Sequence, residues 1–212
     1  MSRQADKMRN PWEDIELSDY EGHMSSQTVM QEQCLNEMMK GQVCRHPVKT
    51  VMVLGVAGGN GLEHIDPRRI ERVYGVDVNE EYLAECAHRH ACLGDVLKCL
   101  HADLTNEGIT LPHTDLVIAD LLVEYIGCEC FARVVKAVGP SYVSAIIQVN
   151  TDAGFVSGSP YQHVFDRLDS VHRQIDEDAL SCTMTGIGYM PDAKEERLLP
   201  NGKKLVRLDY GC

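Results

Sequence analysis

The chain has no surplus of positive charge, no long apolar run and no cysteine pair at the usual zinc-binding spacing. Its 20 Lys and Arg residues are outnumbered by 32 Asp and Glu residues, which gives a formal net charge of −12. This acidity argues against tight binding to nucleic acid phosphates. No apolar run is long enough to span a membrane, and the polar N-terminus lacks the apolar core of a secretory signal. We therefore expect a cytoplasmic protein that binds neither nucleic acid nor membranes.

The cysteines indicate reduced thiols rather than a disulfide framework. There are nine of them, an odd number, scattered through predicted helices and strands. The nearest pair, Cys128 and Cys130, is too tightly spaced for a zinc motif. We interpret this pair as two small, semi-apolar helix residues, with a soft-metal or redox pair beside an active site as the alternative. No metal site is predicted.

One stretch organises the rest of the chain. Residues 51–54 are apolar, which suits a strand buried on both faces of a parallel sheet. The glycine-rich residues 55–61 then allow a sharp turn and a close approach of the backbone to a ligand. Residues 62–65 are expected to open a short helix whose first N–H groups face that ligand. A second strand ends at Asp77, about twenty residues on, where a carboxylate could accept hydrogen bonds from both hydroxyls of a ribose.

Four matches, in order and at the right spacing, carry a family resemblance. Gly55-x-Ala57-x-Gly59 resembles motif I, G-x-G-x-G, of the class I S-adenosylmethionine (SAM) dependent methyltransferases. Asp77 matches the ribose-binding acidic residue of that family, residues 102–104 resemble its adenine-binding stretch, and residues 115–122 resemble its motif IV. The resemblance covers roughly residues 45–212 and is to the small, single-domain bacterial type.

Two positions depart from the family pattern. Val53 stands where an acidic residue is often found, and Ala57 replaces the middle glycine, although alanine is small enough to keep the turn. A nicotinamide dinucleotide site would need G-x-G-x-x-G. Read from Gly55 the chain fails at the second and third glycines, and read from Gly59 it fails at the third. A cofactor with a pyrophosphate is therefore disfavoured, and a tight turn without a ligand is the other alternative.

The resemblance implies a Rossmann-like, doubly wound α/β fold. It implies a seven-stranded, mostly parallel sheet with helices on both faces, a C-terminal antiparallel hairpin and an N-terminal helical lid. We assign residues 1–45 to the arm and lid helix and residues 46–212 to one methyltransferase domain. The lid helix is predicted from the apolar spacing after Ser25 and Ser26, which could cap it, and should end near Gly41.

Further along the chain, local patterns predict three more features. Residues 124–138 read as one helix, ended by Gly139 and Pro140. Residues 164–171 also have helical spacing. Residues 196–208 read as two strands joined by a Pro-Asn-Gly turn.

The resemblance also implies the cofactor, SAM, with S-adenosylhomocysteine (SAH) as the product. Matched residue by residue, the cofactor would be bound by Gly55, Val56, Ala57, Gly59, Asn60, Asp77, Val78, Asp103, Leu104 and Asp120.

The candidate catalytic residues are inferred mainly from charged residues that lie within or next to apolar segments. Asp120 is the single charge of a buried strand, and a carboxylate there is costly unless it is used or paired. Ligands of open parallel sheets bind at that carboxyl edge. We therefore predict Asp120, Glu124 and Tyr125 at the methyl-transfer site, with an ordinary first-turn helix charge as the alternative for Glu124. Tyr20 and His23 precede the lid helix and could face the methyl group.

The acceptor is predicted to be a small molecule. The Asp/Asn-Pro-Pro-Tyr motif of amino methylation on nucleic acid bases or glutamine amides is absent after β-strand four, where the sequence is Asp120-Leu-Leu-Val. Residues 150–161 are predicted to form a long loop, and such loops are often functional. Four residues could line the acceptor pocket, namely Gln148, Asn150, Ser159 and Tyr161. We expect a monomer or homodimer. The alternatives are a SAM-binding sensor or partner subunit without catalysis and a nicotinamide-dependent oxidoreductase.

Overall fold

The computed structural model describes residues 10–150 and 158–212. The strands are Thr50–Leu54 (β1), Arg72–Asp77 (β2), Leu97–His101 (β3), Leu116–Asp120 (β4), Tyr142–Val149 (β5), Met190–Leu198 (β6) and Lys204–Gly211 (β7). The α-helices are Leu17–Ser25 (α1), Gln31–Arg45 (α2), Glu80–Arg89 (α3), Val123–Ile126 (α4), Cys128–Val138 (α5) and Glu177–Gly186 (α6). Shorter 3-10 helices span Pro11–Asp14, Leu62–His64, Ala91–Val96 and Gln162–Ser170. None of these described helices has the length and apolar character needed to cross a membrane.

The strands form a single sheet in the order β3-β2-β1-β4-β5-β7-β6. Strands β1 to β5 run parallel, whereas β7 is antiparallel to both of its neighbours, β5 and β6. Parallel neighbours need crossover connections, and these place helices over the faces of the sheet. The predicted Rossmann-like sheet with a C-terminal antiparallel hairpin is confirmed.

Strand β1 reads as an unbroken apolar run because both of its faces are buried. Successive side chains of a strand point to opposite faces. Met52 and Leu54 belong to one core cluster together with Phe131 of α5, while Val51 and Val53 belong to another that includes residues of α2 and α3. This arrangement fixes the end of β1, and so the start of the glycine-rich turn, in the middle of the sheet.

The N-terminal segment folds differently from the prediction. The expected helix start at Ser25 and Ser26 is wrong, because Ser25 is the last residue of α1 and α2 begins only at Gln31. Met30 precedes α2 with a left-handed φ of 54°. That conformation turns the chain between two helices, and an apolar periodicity alone does not reveal it. Helix α2 also continues beyond Gly41 to Arg45.

The segment after β4 contains two helices where one was expected. They meet at Gly127, which has φ 80° and ψ 157°. A Cβ at this position would lie 2.7 Å from a guanidinium nitrogen of Arg173, so the break is also a point of close packing. Gly139 ends α5 in the left-handed conformation, as the sequence predicts.

Two other helical predictions are only partly met, and one helix is additional. Residues 62–65 contribute a single 3-10 turn rather than the start of an α-helix, so they do not form a helical anion site. The helical spacing of residues 164–171 corresponds to a 3-10 helix. Helix α6, capped by the Asp176 side chain, is not among the predicted helices. The predicted hairpin is present, and β6 begins earlier than expected, at Met190.

Candidate functional site

Four neighbouring parallel strands end at one edge of the sheet, and the residues there line a cavity of about 300 Å³. Gly55 and Ala57 follow β1, Asp77 ends β2, Asp103 follows β3 and Asp120 ends β4. These strands lie side by side in the order β3-β2-β1-β4. Four segments that are distant in sequence therefore meet at the edge where open α/β sheets bind ligands.

The glycine-rich turn is tied to β2 by its own backbone. The N–H groups of Gly55 and Val56 donate to the Val76 carbonyl at 2.8 and 3.1 Å, and the Ala57 N–H donates to Asp77 Oδ2 at 2.9 Å. Gly55 and Ala57 have φ values of 70° and 45°. Because a left-handed conformation costs a residue with a Cβ about 1–2 kcal/mol, the turn is strained at Ala57.

The other predicted members of the turn lie away from the cavity. Val56 and Asn60 line a smaller recess of about 50 Å³ that adjoins it. Gly59 has φ 89°, and a Cβ there would lie 2.7 Å from the His90 ring and 2.9 Å from Cys86 Sγ. Glycine at this position therefore allows the turn to pack closely against α3.

Two backbone N–H groups orient the Asp77 carboxylate. Ala57 N–H donates to Oδ2 at 2.9 Å and Asn79 N–H donates to Oδ1 at 3.0 Å. Burial raises the pKa of Asp77, and these backbone donors oppose the rise. A carboxylate oxygen can accept more than one hydrogen bond, so both oxygens keep the capacity to bind a ligand. Asn79 also caps α3 through its side chain and donates to the Trp12 carbonyl at 3.1 Å.

A second acidic residue lies beyond β3. Asp103 Oδ1 accepts hydrogen bonds from Thr105 N–H at 3.0 Å and from the Thr105 hydroxyl at 2.6 Å. Val78 and Leu104 line the same cavity and add apolar surface. The cavity thus combines two carboxylates with apolar contacts at the ends of β2 and β3.

One wall of the cavity is aromatic and comes partly from the N-terminal arm. The Trp12 ring lies edge-on to Tyr20 and Tyr125, with centroid distances of 5.8 and 4.9 Å, and Tyr20 stacks on Tyr82 at 6.2 Å. The Tyr82 hydroxyl donates to the Ile15 carbonyl at 2.8 Å and so holds the arm against α3. The sequence analysis did not place Tyr82 at the site, and its position in the first turn of α3, shortly after Asp77, was the available signal.

Asp120 lies where the end of β4 meets α2. Gln42 Nε2 donates to its Oδ1 at 2.8 Å. Burial raises the pKa of Asp120 to about 7, against the opposing effect of this hydrogen bond. The next residue, Leu121, has φ 54°, and its N–H donates to the Ile146 carbonyl at 2.8 Å. Backbone strain of this kind is often found at functional sites, where the surrounding structure enforces it.

A second, smaller pocket of about 60 Å³ adjoins the cavity. Both are lined by Trp12, Tyr20, Leu121 and Tyr125. The remaining lining residues of the small pocket are His23, Met24, Gln31, Glu124, Gln148, Phe165 and His172. The structure therefore brings four of the five predicted catalytic residues to this pocket and places Asp120 in the adjoining cavity.

Glu124 is deeply buried in the small pocket, with 2% of its surface exposed. Glu124 does lie in the first turn of α4, as the alternative of a first-turn helix charge requires, but it is buried there. Its Oε1 accepts from the Gln148 N–H at 2.7 Å, while Oε2 has no hydrogen-bond partner in the described part of the chain. Burial raises the pKa of Glu124 to about 7, and the Asp120 carboxylate adds to the rise.

His23 is a neutral base in the same pocket. Its Nδ1 is 2.7 Å from the Ser159 hydroxyl, and its ring centroid is 4.6 Å from that of Phe165. Burial lowers the pKa of His23 to about 4, helped by the charge of Lys203. At neutral pH the imidazole therefore carries no charge and keeps one nitrogen as an acceptor.

The predicted pocket loop is only partly described. Gln148 lines the small pocket, accepts a hydrogen bond from Gln31 Nε2 and donates to Asn150 Oδ1 at 2.6 Å. The Ser159 hydroxyl forms a hydrogen bond with His23, which lines the pocket. The Tyr161 ring packs over Gly22 of α1. Residues 151–157 lie outside the described residues.

The thiol of Cys130, in the pair Cys128 and Cys130, makes two hydrogen bonds. Cys130 Sγ donates to the Leu104 carbonyl at 3.2 Å and accepts from Arg133 at 3.2 Å. Across residues 10–150 and 158–212, no group of three or more His, Cys, Asp or Glu side chains could hold a metal ion. All nine cysteines are among the described residues and all are free thiols.

No protein-family model and no curated protein sequence matches this chain. Solved structures do match it. The N-methyltransferase NodS from Bradyrhizobium japonicum, in complex with SAH, is 11% identical, with a TM-score of 0.65 over 92% of this chain and 97% of NodS. The magnesium protoporphyrin IX methyltransferase ChlM from Synechocystis, with bound SAH, is 11% identical, with a TM-score of 0.59 over 86% of this chain and 82% of ChlM. The cyclase SpnF is 11% identical, with a TM-score of 0.64 over 88% of this chain and 83% of SpnF. At these identities the likeness establishes the fold alone.

Proposed function

We propose that this chain, which has the fold of the class I SAM-dependent methyltransferases, transfers a methyl group from SAM to a small-molecule acceptor. One observation carries the proposal. A cavity that holds Asp77, Asp103 and the strained turn at Ala57 adjoins a smaller pocket that holds Glu124 and His23. The large cavity provides room for a nucleoside and the small pocket provides groups that can receive a proton.

The residues of the cavity fit the cofactor. Asp77 keeps free acceptor capacity for ribose hydroxyls, and Asp103 can accept from the adenine amine beside the apolar Val78 and Leu104. Gly55 lines the same cavity, and glycine adopts its left-handed φ of 70° without strain. The volume of about 300 Å³ lies at the lower end of the range of small-molecule sites.

When bound, SAM would supply an electrophilic methyl group on a sulfonium. The chain's contribution is to hold the acceptor in line with that methyl group, which converts an encounter in solution into an oriented step. Tyr20, Leu121 and Tyr125 line both compartments and would set this alignment. Burial raises the pKa of Tyr20 and Tyr125, so both hydroxyls stay protonated and able to donate at neutral pH.

Glu124 and His23 would handle the proton that an acceptor releases. The pKa of Glu124 is raised to about 7 and that of His23 is lowered to about 4, so Glu124 is the stronger base of the two. A general base works best when its pKa lies near the operating pH. We therefore assign the proton-accepting role to Glu124, and to His23 a hydrogen-bonding role in the pocket wall. Asp120 lines the large cavity and would contact the cofactor there.

Three further parts of the proposal concern the whole chain. Residues 1–45 would act as a lid, which is supported by Trp12, Tyr20 and His23 lining the two compartments. The free thiols favour a reducing compartment such as the cytoplasm. The net charge of −12 favours a small-molecule acceptor over a nucleic acid.

The proposal is tested by titrating the protein with SAM, SAH and NAD in a calorimeter. Asp77→Asn should weaken SAH binding by about 10- to 100-fold, because hydrogen bonds to a charged partner contribute about 1.5–3 kcal/mol. Asparagine keeps an oxygen that can accept from the Ala57 N–H. The matched control is Asp95→Asn, whose side chain is fully exposed at 100% and should bind as the wild type does.

Each outcome discriminates between functions. Binding of SAH that is lost in the Asp77 variant would support the cofactor assignment. Binding without methyl uptake by any small molecule would favour a sensor or partner subunit. Binding of NAD but not of SAM or SAH would refute the proposal.

A further inference from the structure

The small pocket contains one carboxyl oxygen that lacks a hydrogen-bond donor when Glu124 is ionised. Glu124 is 2% exposed and its Oε1 is satisfied by the Gln148 N–H at 2.7 Å. Its Oε2 is fully buried and receives no hydrogen bond from residues 10–150 or 158–212. A buried acceptor left unpaired costs about 1–3 kcal/mol, and more when it is charged. A ligand that brings an N–H or O–H group to Oε2 would remove this cost.

The walls around this oxygen suit a cation. Trp12, Tyr20, Tyr125 and Phe165 line the pocket, and aromatic faces attract ammonium groups through their quadrupoles. The polar side chains beside them include two histidines that do not oppose a cation. Burial lowers the pKa of His23 and of His172, in both cases helped by Lys203.

The charges that act on Glu124 are also favourable. They come from the Asp120 carboxylate, which raises its pKa further, and from backbone N–H groups, which lower it. The positive charge of Lys203 acts on the two histidines, and that of Arg207 acts on Asp120. The charge that acts on Glu124 is the negative charge of Asp120, so an anionic acceptor such as a carboxylate would be repelled at Oε2.

The volume of the small pocket limits the size of the acceptor group that can enter it. This volume is about 60 Å³. An engineered cavity that binds benzene has about 150 Å³. The reacting end of the acceptor is therefore a small headgroup rather than an aromatic ring such as a phenol.

We propose that the acceptor is a primary or secondary alkylamine, which enters as its ammonium ion and donates an N–H to Glu124 Oε2 inside the aromatic pocket. This inference rests on the proposed function. The ammonium nitrogen transfers one proton to the Glu124 carboxylate and gains a free lone pair. That lone pair forms the new N–C bond to the methyl carbon as the C–S bond breaks, and the bonding electrons remain on sulfur to give neutral SAH. The product amine carries the positive charge, and the proton on Glu124 passes to solvent.

The test uses the full chain with SAH or SAM bound and a set of matched small probes. Ethylamine, N-methylethylamine, ethanol, ethanethiol and propionate are compared for methyl uptake from SAM by mass spectrometry. Binding of the same probes to the SAH complex is followed by the fluorescence of Trp12, the only tryptophan of the chain, which lines both compartments. We expect the amines alone to be methylated and to change the Trp12 signal at the lowest concentrations.

Glu124→Gln tests the role of Oε2 directly. The amide keeps an oxygen for the Gln148 N–H but presents donors to an ammonium ion. We expect kcat/KM for ethylamine to fall about 100-fold, which is the scale of losing a hydrogen bond to a charged group, while SAH affinity stays within about twofold. Glu129→Gln, on the exposed first turn of α5, is the matched control and should leave both values unchanged.

The outcomes separate this inference from the function on which it rests. Failure of SAH to bind the wild-type protein refutes the methyltransferase proposal itself. If SAH binds but the amines bind no more tightly than ethanol, or if methyl groups go to another probe, the amine assignment alone is overturned. It is also overturned if Glu124→Gln methylates ethylamine as fast as the wild type.

Discussion

Replacing Glu124 with glutamine should make the stability of the fold less dependent on pH. In the wild-type protein burial raises the pKa of Glu124 from its ordinary value of 4.5 to about 7. The folded protein therefore keeps a proton that the unfolded chain releases between these two values. For a carboxyl group with a raised pKa, the stability contribution is fully present below the unfolded pKa and is lost as the pH rises to the folded one.

The magnitude follows from the two pKa values. A pKa difference of one corresponds to about 1.4 kcal/mol, so a rise from 4.5 to about 7 corresponds to a loss of about 3 kcal/mol in the free energy of unfolding above neutral pH. Glutamine does not ionise, and any cost of its buried amide is the same at every pH. The difference between variant and wild type should therefore change by about 3 kcal/mol, in favour of the variant, between pH 4.5 and about pH 8.5.

Urea unfolding of both proteins across this pH range, followed by circular dichroism, measures the effect. Glu129→Gln is the exposed control and should show a difference below about 0.5 kcal/mol. Because the Asp120 carboxylate contributes to the raised pKa, the series is repeated in an Asp120→Asn background, where the change for Glu124→Gln should be smaller. A pH-independent difference, or one that favours the wild type at alkaline pH, would show that Glu124 is not a desolvated carboxyl group.

Three other substitutions, one of them with a matched control, test the turn and the arm. Ala57→Gly should raise the free energy of unfolding by about 1 kcal/mol in urea, because glycine relieves the left-handed strain; a loss of stability would contradict that strain. Gly59→Ala should lower the free energy of unfolding by about 2–4 kcal/mol, because the new Cβ is strained and overlaps α3. The control Gly202→Ala is also left-handed, but no described atom lies within 4 Å of its new Cβ, so it should lower the free energy of unfolding only by the cost of the strain. Equal decreases in the two variants would argue against the overlap. Asn79→Ala should cost about 1 kcal/mol by removing a helix cap and should shift the Trp12 emission to longer wavelength, and an unchanged emission would show that the arm is held elsewhere.

The parallel strands could be predicted because strands buried on both faces consist of consecutive apolar residues, which are visible in the local sequence. β1 and β4 are covered on both faces, and they therefore appear as continuous apolar runs that end in a turn or a charge. The carboxylates at Asp77 and Asp120 could be placed at one edge because parallel strands end together. The C-terminal hairpin was readable from its Pro-Asn-Gly turn.

The breaks between helices were not readable in the same way. Met30 and Gly127 interrupt stretches of helical spacing by backbone conformations that a periodicity does not encode. The aromatic wall was missed for a different reason. Trp12 and Tyr125 lie far apart in the chain, and their contact at 4.9 Å depends on how the arm crosses the sheet edge. Glu124 could be identified as a candidate, but its unpaired oxygen appears only once β5 is in place.

The strand order has a consequence for how ligands can be found. The cavity exists only when β3, β2, β1 and β4 are all paired, since each supplies a residue to it. An isolated piece of the sheet would lack part of the cavity lining, so we expect occupancy to be coupled to the folding of these four strands. A ligand at 100 times its Kd should then raise the free energy of global unfolding by about 2.7 kcal/mol. Melting curves recorded with a library of nucleosides and amines would consequently rank ligands for both compartments without an activity assay.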